Sequence, residues 1–273
     1  MTGLTNFLFA PANRPERVEK AAKSGADLIC IDLEDSVPPA EKSSARESVL
    51  SLLRVLDRAK TAVRINGLKT EAGLADLLAL SASEHLPALV FLPMVESVTE
   101  VEIAHHILGD RIAGLIPLIE TVKGLRVGDE IAAGPGIAGM MFGGGDFSAQ
   151  LGTKLDWEPL LVARGEFILC CASAGVAAFD VPYINLQNDA GLREECEKAK
   201  ELGFHAKAAI HPKQLSIISE VMRPSVVEIE EAKDAIAAFD AAGGKAVSHN
   251  GRMLEAPVMQ RYRNIVAAAS IRK

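Results

Sequence analysis

The chain has 273 residues, 49% of them hydrophobic, and a formal net charge of -7. That is enough apolar material for one large core, and the length is that of a single (β/α)8 barrel. The acidic balance argues against nucleic acid or an anionic membrane surface as main partner, because either calls for a broad cationic face.

Met1 to Phe9 lacks the basic flank and apolar segment of a secretion signal, and no apolar run is long enough to span a membrane, so a cytoplasmic protein is expected. Short apolar runs then alternate with helix-sized segments, as in repeated β/α units. In chain order the runs are Phe7 to Phe9, Leu28 to Ile31, Ala62 to Ile65, Leu89 to Leu92, Leu115 to Ile119, Met140 to Phe142, Val176 to Phe179 and Ala206 to Ile210. Pro15 lies just inside the first helix and Gly25 just beyond it. Ser97-Val98-Thr99-Glu100 reads as a capping box opening a helix that Gly109 ends. Eight parallel strands fit a closed barrel or an open doubly wound sheet; their number and length favour the barrel. Past Pro224 come a helix-like segment, a polar stretch from Ala246 to Arg252 and a last helix from about Ala256. The expected fold is therefore α/β, a TIM barrel over residues 1–223 with a C-terminal helical extension over 224–273.

In such a barrel chemistry gathers where strands end. Asp32, Glu34 and Asp35 follow the second run, Arg64 lies in the third, Glu120 ends the fifth, and Asp146 follows Gly143-Gly144-Gly145 after the sixth. Any one of these acids is more often a helix cap or solvated loop residue than a ligand. Together, Glu120 and Asp146 at neighbouring strand ends suit Mg2+, a hard cation that keeps several waters. Arg64 is costly to bury without anions, so it is either an ion-pair partner of Asp32 or Glu34 or an anchor for a substrate oxygen. The glycine run offers bare N–H groups at a helix start, where a carboxylate or phosphate can bind. It matches neither a dinucleotide fingerprint nor a P-loop. Cys30, Cys170, Cys171 and Cys196 have no CxxC spacing, so neither disulfides nor zinc are expected. His211 is read as a structurally hydrogen-bonded residue.

These stretches, in order, resemble the citrate lyase β-subunit-like branch of the HpcH/HpaI aldolase family. The resemblance rests on Leu8 to Arg17, Gly25-Ala26-Asp27, Asp32-Leu33-Glu34-Asp35, Val63-Arg64-Ile65-Asn66, Ile119-Glu120-Thr121, Phe142-Gly143 with Asp146, Ile210-His211-Pro212 and Gly251-Arg252-Met253. It implies a barrel with a swapped C-terminal element, assembled as homotrimers or hexamers. It further implies that Glu120 and Asp146 hold Mg2+ and that Arg64 steadies a developing enolate. That ion would chelate a 2-oxo or 2-hydroxy acid, the amides around Gly144, Gly145 and Asp146 would hold the substrate carboxylate, and Arg14 would help bind a coenzyme A thioester. The chain departs from the family pattern at two positions. Gly145 stands where Glu often precedes the metal-binding Asp, and Met253-Leu254-Glu255-Ala256-Pro257 places Glu255 where lyases and thioesterases carry Asp. The leading expectation is a lyase cleaving a malyl-, citramalyl- or citryl-CoA-type thioester, with thioesterase activity a further option. The alternatives are a CoA-independent aldolase and a carrier-dependent subunit of a citrate lyase complex.

Overall fold

The computed structural model describes residues 4–270, in two units: one from Leu4 to Met222 and a C-terminal one from Arg223 onward. The first unit runs β1 (Asn6–Pro11), α1 (Pro15–Ala22), β2 (Leu28–Asp32), α2 (Lys42–Leu52), β3 (Thr61–Arg64), α3 (Glu71–Ala82), β4 (Leu89–Leu92), α4 (Val98–Leu108) and β5 (Gly114–Ile119). It continues with α5 (Val122–Arg126), α6 (Gly128–Ala132), β6 (Gly139–Phe142), α7 (Gly144–Leu151), α8 (Trp157–Ala174), β7 (Ala177–Asp180), α9 (Asp189–Leu202), β8 (Ala206–Ala209) and α10 (Leu215–Met222). The eight strands form a closed parallel barrel in sequence order, with β8 returning to β1 through Phe7 opposite Ala208. The barrel, not the open sheet, is the fold.

Strand parity explains the core, since successive side chains point to opposite faces. Phe7 lies 5.5 Å from Phe91 and 5.7 Å from Phe179, ring centre to ring centre, although β1, β4 and β7 are not all neighbours. These rings therefore meet across the barrel axis. Small residues on other strands, among them Ala62, Ala206 and Ala208, leave them room. The alternate positions, such as Leu8, Ile31, Val63 and Phe142, pack outward in a second cluster with the helices. Counting in twos from Cys30 and Ala62 turns Asp32 and Arg64 inward; counting from Leu118 does the same for Glu120.

The same parity turns Asp180 and Lys207 outward, into the layer between strands and helices. There Lys207 Nζ lies 2.5 Å from Asp180 and 2.7 Å from Glu195, and donates to the Val181 carbonyl at 2.8 Å. Arg164 Nε reaches the other Asp180 oxygen at 3.1 Å, and its guanidinium stacks over Trp157. Burial pushes the Asp180 carboxyl up, but Lys207 and Arg164 outweigh it and hold the group below its ordinary range.

Two local expectations are corrected. Ser97 does not cap α4 through its side chain; Glu100 Oε1 instead accepts from the Glu96 amide at 3.0 Å, one residue further back, and Lys69 sits 3.3 Å away. β8 ends at Ala209 because the Ile210 amide turns to Gln214 Oε1 at 3.0 Å.

In the C-terminal unit, Ser225 and Glu228 form a capping box at the start of α11 (Val226–Ala241). The polar stretch after it is more ordered than expected: β9 (Val247–His249) pairs antiparallel with β10 (Arg252–Leu254). Asn250 and Gly251, at φ 47° and 74°, supply the positive-φ pair that a tight hairpin needs. The last helix, α12 (Ala256–Ser270), begins where expected. Ala232, Phe239, Leu254, Met259 and Tyr262 form this unit's own core.

Lys207→Met leaves Asp180 buried with one cation fewer, and a loss of about 3–5 kcal/mol is expected in urea unfolding. A loss under about 1 kcal/mol would show that the cluster does not hold β7 to β8.

Candidate active site

A cavity of about 460 Å3 opens at the C-terminal end of the barrel, lined by residues from the ends of β1, β2, β3, β5, β6, β7 and β8. Its polar side is built on the pairing of Asp32 with Arg64, which are register partners on β2 and β3. Arg64 Nε and Nη2 reach the two Asp32 oxygens at 2.7 and 2.8 Å, a bidentate contact. Asp32 also accepts the amides of Glu34 at 3.0 Å and Ser36 at 3.1 Å. Burial works against the Asp32 charge, yet Arg64 and these donors keep the carboxyl below its ordinary range. The remaining Arg64 nitrogen lies 2.8 Å from Glu34 and 3.3 Å from Asp35. The first is an ionic approach and not an aligned hydrogen bond, since Glu34 Oε2 has no hydrogen-bond partner. Burial pushes the Glu34 carboxyl up to about 8 against the pull of Arg64. The face of Phe9 completes the setting, 4.9 Å from the guanidinium carbon. Arg64 is thus an ion-pair partner of Asp32 and Glu34 and also lines the cavity.

Glu120 follows β5 directly and faces Gly143, because Ile119 pairs with Phe142 in the neighbouring strand. A Cβ at Gly143 would stand 2.1 Å from Glu120 Cγ, so only glycine fits there. On its other side Glu120 Oε2 accepts the Met94 amide at 2.7 Å. Met94 is held at φ 54°, a left-handed conformation uncommon for a non-glycine residue. Burial raises the Glu120 carboxyl to about 7, with Asp146 and Asp35 adding to the rise against Arg64. Asp146, in the first turn of α7, is raised by partial burial and then by Asp35. Acids that push one another toward the protonated form are what a divalent cation relieves, so the donor set fits such an ion. No group of three or more His, Cys, Asp or Glu suited to a metal occurs among the described residues, so two carboxylates with water would be the coordinating set.

Of the other expected residues, Gly145 and Asp146 line the cavity, while Gly144 is buried just behind them. Arg14 is exposed, donates to the Asn13 carbonyl at 3.3 Å and does not line the cavity; Arg17, one turn along α1, does. Glu255 is exposed between β10 and α12, in the C-terminal unit, and its carbonyl accepts the Val258 and Met259 amides. His211 accepts the Lys213 amide through Nδ1 at 3.2 Å, a local structural bond as expected. All four cysteines are free and buried. Sequence reasoning missed the Met94 amide, which no side chain signals, and the Lys207 cluster. The second was within reach: a lysine inside an apolar strand run raises the question that Arg64 raised.

Residues 6–212 match the HpcH/HpaI aldolase/citrate lyase family, and residues 166–271 match a family described as C-C bond lyases of the TIM-barrel fold. The chain belongs to the HpcH/HpaI aldolase/citrate lyase family. Among the relatives it resembles is (3S)-malyl-CoA thioesterase of Cereibacter sphaeroides, 36% identical over 87% of this chain and 83% of that protein. Mitochondrial citramalyl-CoA lyase of Homo sapiens is 30% identical over 96% of this chain and 84% of its own. Among solved structures, Mycobacterium tuberculosis CitE in complex with magnesium, acetoacetate and coenzyme A is 32% identical with a TM-score of 0.83. It covers 97% of this chain and 98% of its own.

For this member of the HpcH/HpaI family, neighbouring glycines respond in opposite ways. Gly143→Ala is expected to displace Glu120 and to cost about 1–3 kcal/mol in thermal unfolding. At Gly145 a Cβ would meet nothing within 4 Å, so Gly145→Ala is expected to be neutral or slightly stabilising.

Proposed function

We propose that this protein is a Mg2+-dependent carbon–carbon lyase that cleaves a malyl-, citramalyl- or citryl-CoA-type thioester to an acyl-CoA and a 2-oxo acid, with thioesterase action as a further outcome at the same site. The observation carrying this reading is the pair Glu120 and Asp146, two carboxyls at adjacent strand ends, both raised chiefly by burial and facing the cavity beside Arg64. Mg2+ held by these two carboxylates supplies a Lewis acid next to the oxo-acid oxygens. Backbone amides at the start of α7, around Gly144, Gly145 and Asp146, orient the substrate carboxylate. Arg64 keeps a fixed positive charge at the reacting centre, and Asp32 holds its guanidinium plane in place. Met94 orients Glu120 through its amide.

The proton of the 3-hydroxyl needs an acceptor, and Glu255 is the proposed one. It would reach the site from a neighbouring copy in a homotrimer or hexamer, residues 224–273 acting as an extension of the 1–223 barrel that packs on the next subunit. Glu is one methylene longer than the Asp the family pattern carries, so the tail must seat it differently. Arg14 and Arg17 on α1 are the basic groups proposed to meet the coenzyme A phosphates. No helix among the described residues is long and apolar enough to cross a membrane, and a cytoplasmic enzyme is proposed.

Mass-spectrometric turnover of malyl-, citramalyl- and citryl-CoA, with Mg2+ and then with EDTA, tests the reading. Metal-dependent release of a shorter CoA thioester and an oxo acid is the expected result; no cleavage of any of the three overturns it. Asp146→Ala is expected to lower turnover by at least about a thousandfold and to abolish Mg2+ binding in calorimetry. Glu255→Gln is expected to lower kcat about a hundredfold while leaving Mg2+ affinity unchanged. Because Glu120 must lose its proton to bind the cation and titrates at about 7, Mg2+ affinity is expected to weaken as pH falls through that value.

A further inference from the structure

The end of the barrel opposite the acid-lined cavity holds a second opening. It lies where β3, β4 and β5 begin, beside the C-terminal ends of α2 and α3, and encloses about 760 Å3. Its lining carries Arg54, Arg58 and Arg111, with His85 beside them, and Glu84 is its one acid. In a chain of net charge -7 that is a local reversal of sign. An adjoining hollow shares Arg54 and His85 and adds Leu50 and Ala79 to the walls. Leu53 and Leu86, both buried, give the opening an apolar floor.

Two of these arginines are held in place, but not by carboxylates. Arg111 donates to the Ser81 carbonyl at 2.9 Å and the Ser83 carbonyl at 3.5 Å, where α3 ends, and Arg58 donates to the carbonyl of Arg111. Such neutral acceptors fix a guanidinium plane without cancelling its charge, and they leave further N–H groups on each plane to donate. Arg54, two residues beyond α2, has no side-chain partner among the described residues. A cation at a helix C-terminus is ordinarily a cap, and that accounts for Arg111 on α3. It does not account for three arginines around one space. They repel one another and meet no acid: Glu84 forms no ion pair among the described residues, and Asp57, next to Arg58, accepts the Ala59 amide at 3.0 Å.

We propose that this opening binds a ligand carrying linked phosphate groups, at a site separate from the cavity in which carbon–carbon chemistry is proposed. Guanidinium forks match phosphate oxygens in pairs. Three of them around one space call for more negative charge than a single phosphate group brings. Arg58 and Arg111 are oriented before the ligand arrives, so little side-chain freedom is lost on binding. The apolar floor offers a surface for the remainder of such a ligand. Bound there, the anion joins the segments that lead into β3, β4 and β5, which are adjacent only in the folded chain, and so it stabilises the fold by binding.

Calorimetric titration of the whole protein with inorganic tripolyphosphate tests the site, in EDTA so that no metal ion draws phosphate to Glu120 and Asp146. One equivalent is expected to bind, to raise the thermal midpoint and to bind more weakly as salt is added. Arg54→Gln breaks no contact within the protein and is expected to weaken binding by about tenfold, with Arg54→Lys restoring part of the loss through charge alone. Arg17→Gln, at the other end of the barrel, is expected to leave the titration unchanged. ATP titrated beside tripolyphosphate identifies the source: tighter binding places a nucleoside on the apolar floor, and equal binding shows that the phosphates alone are recognised. Binding that survives Arg54→Gln undiminished, binding lost in Arg17→Gln, or no binding of either ligand overturns the proposal and leaves the lyase reading intact.

Discussion

The site depends on one electrostatic constraint, a guanidinium that cannot lose its charge, buried where the barrel strands end. Arg64 is 8% exposed, and it is tolerable there because Asp32 meets it at two points. That pairing has a further effect. Once Asp32 is committed to Arg64, the surrounding carboxyls of Glu34, Glu120 and Asp146 no longer have the arginine to themselves, and burial drives them toward the protonated form. The barrel top is therefore short of positive charge by construction. A divalent cation is the economical remedy, since a further buried arginine would itself need a partner.

Geometry enforces the arrangement as firmly as charge does. Asp32, Arg64 and Glu120 face inward because strand parity allows nothing else, and the β5–β6 register puts Gly143 opposite Glu120. A second ionic cluster, Arg164 with Asp180, Lys207 and Glu195, occupies the opposite parity on β7 and β8. One charged set faces the cavity and the other ties strands to helices. By holding the Val181 carbonyl, the second set also fixes the point where β7 gives way to the cavity wall.

Much of this was legible in the sequence. All eight apolar runs became strands, and the acids at the ends of several were visible as interruptions. The closed barrel was favoured on number and length alone. Other features were hidden for physical reasons. The hairpin at residues 247–254 looked like a polar stretch because an exposed two-stranded ribbon carries little apolar alternation. The Ser97 capping box fails because the Ser97 hydroxyl donates to Glu100 Oε1 at 3.3 Å and so does not accept a helix amide, while the same oxygen takes the Glu96 amide. Arg14 was placed near the substrate on motif membership, whereas Arg17 lines the cavity, a distinction of one helical turn that spacing alone does not resolve.

Glu120 is steadied by the amide of Met94, a residue whose own side chain is 37% exposed. A backbone donor belongs to the position and not to the amino acid. A systematic substitution screen would therefore find almost every replacement of Met94 still offering the same N–H, and would score the position as tolerant. Glycine would even ease the left-handed backbone. Proline alone deletes the donor, and its ring also forbids the positive φ. One of the supports of the Glu120 carboxylate is thus invisible to alanine scanning, and its importance would be legible only in the single substitution that such screens commonly discard as a folding defect.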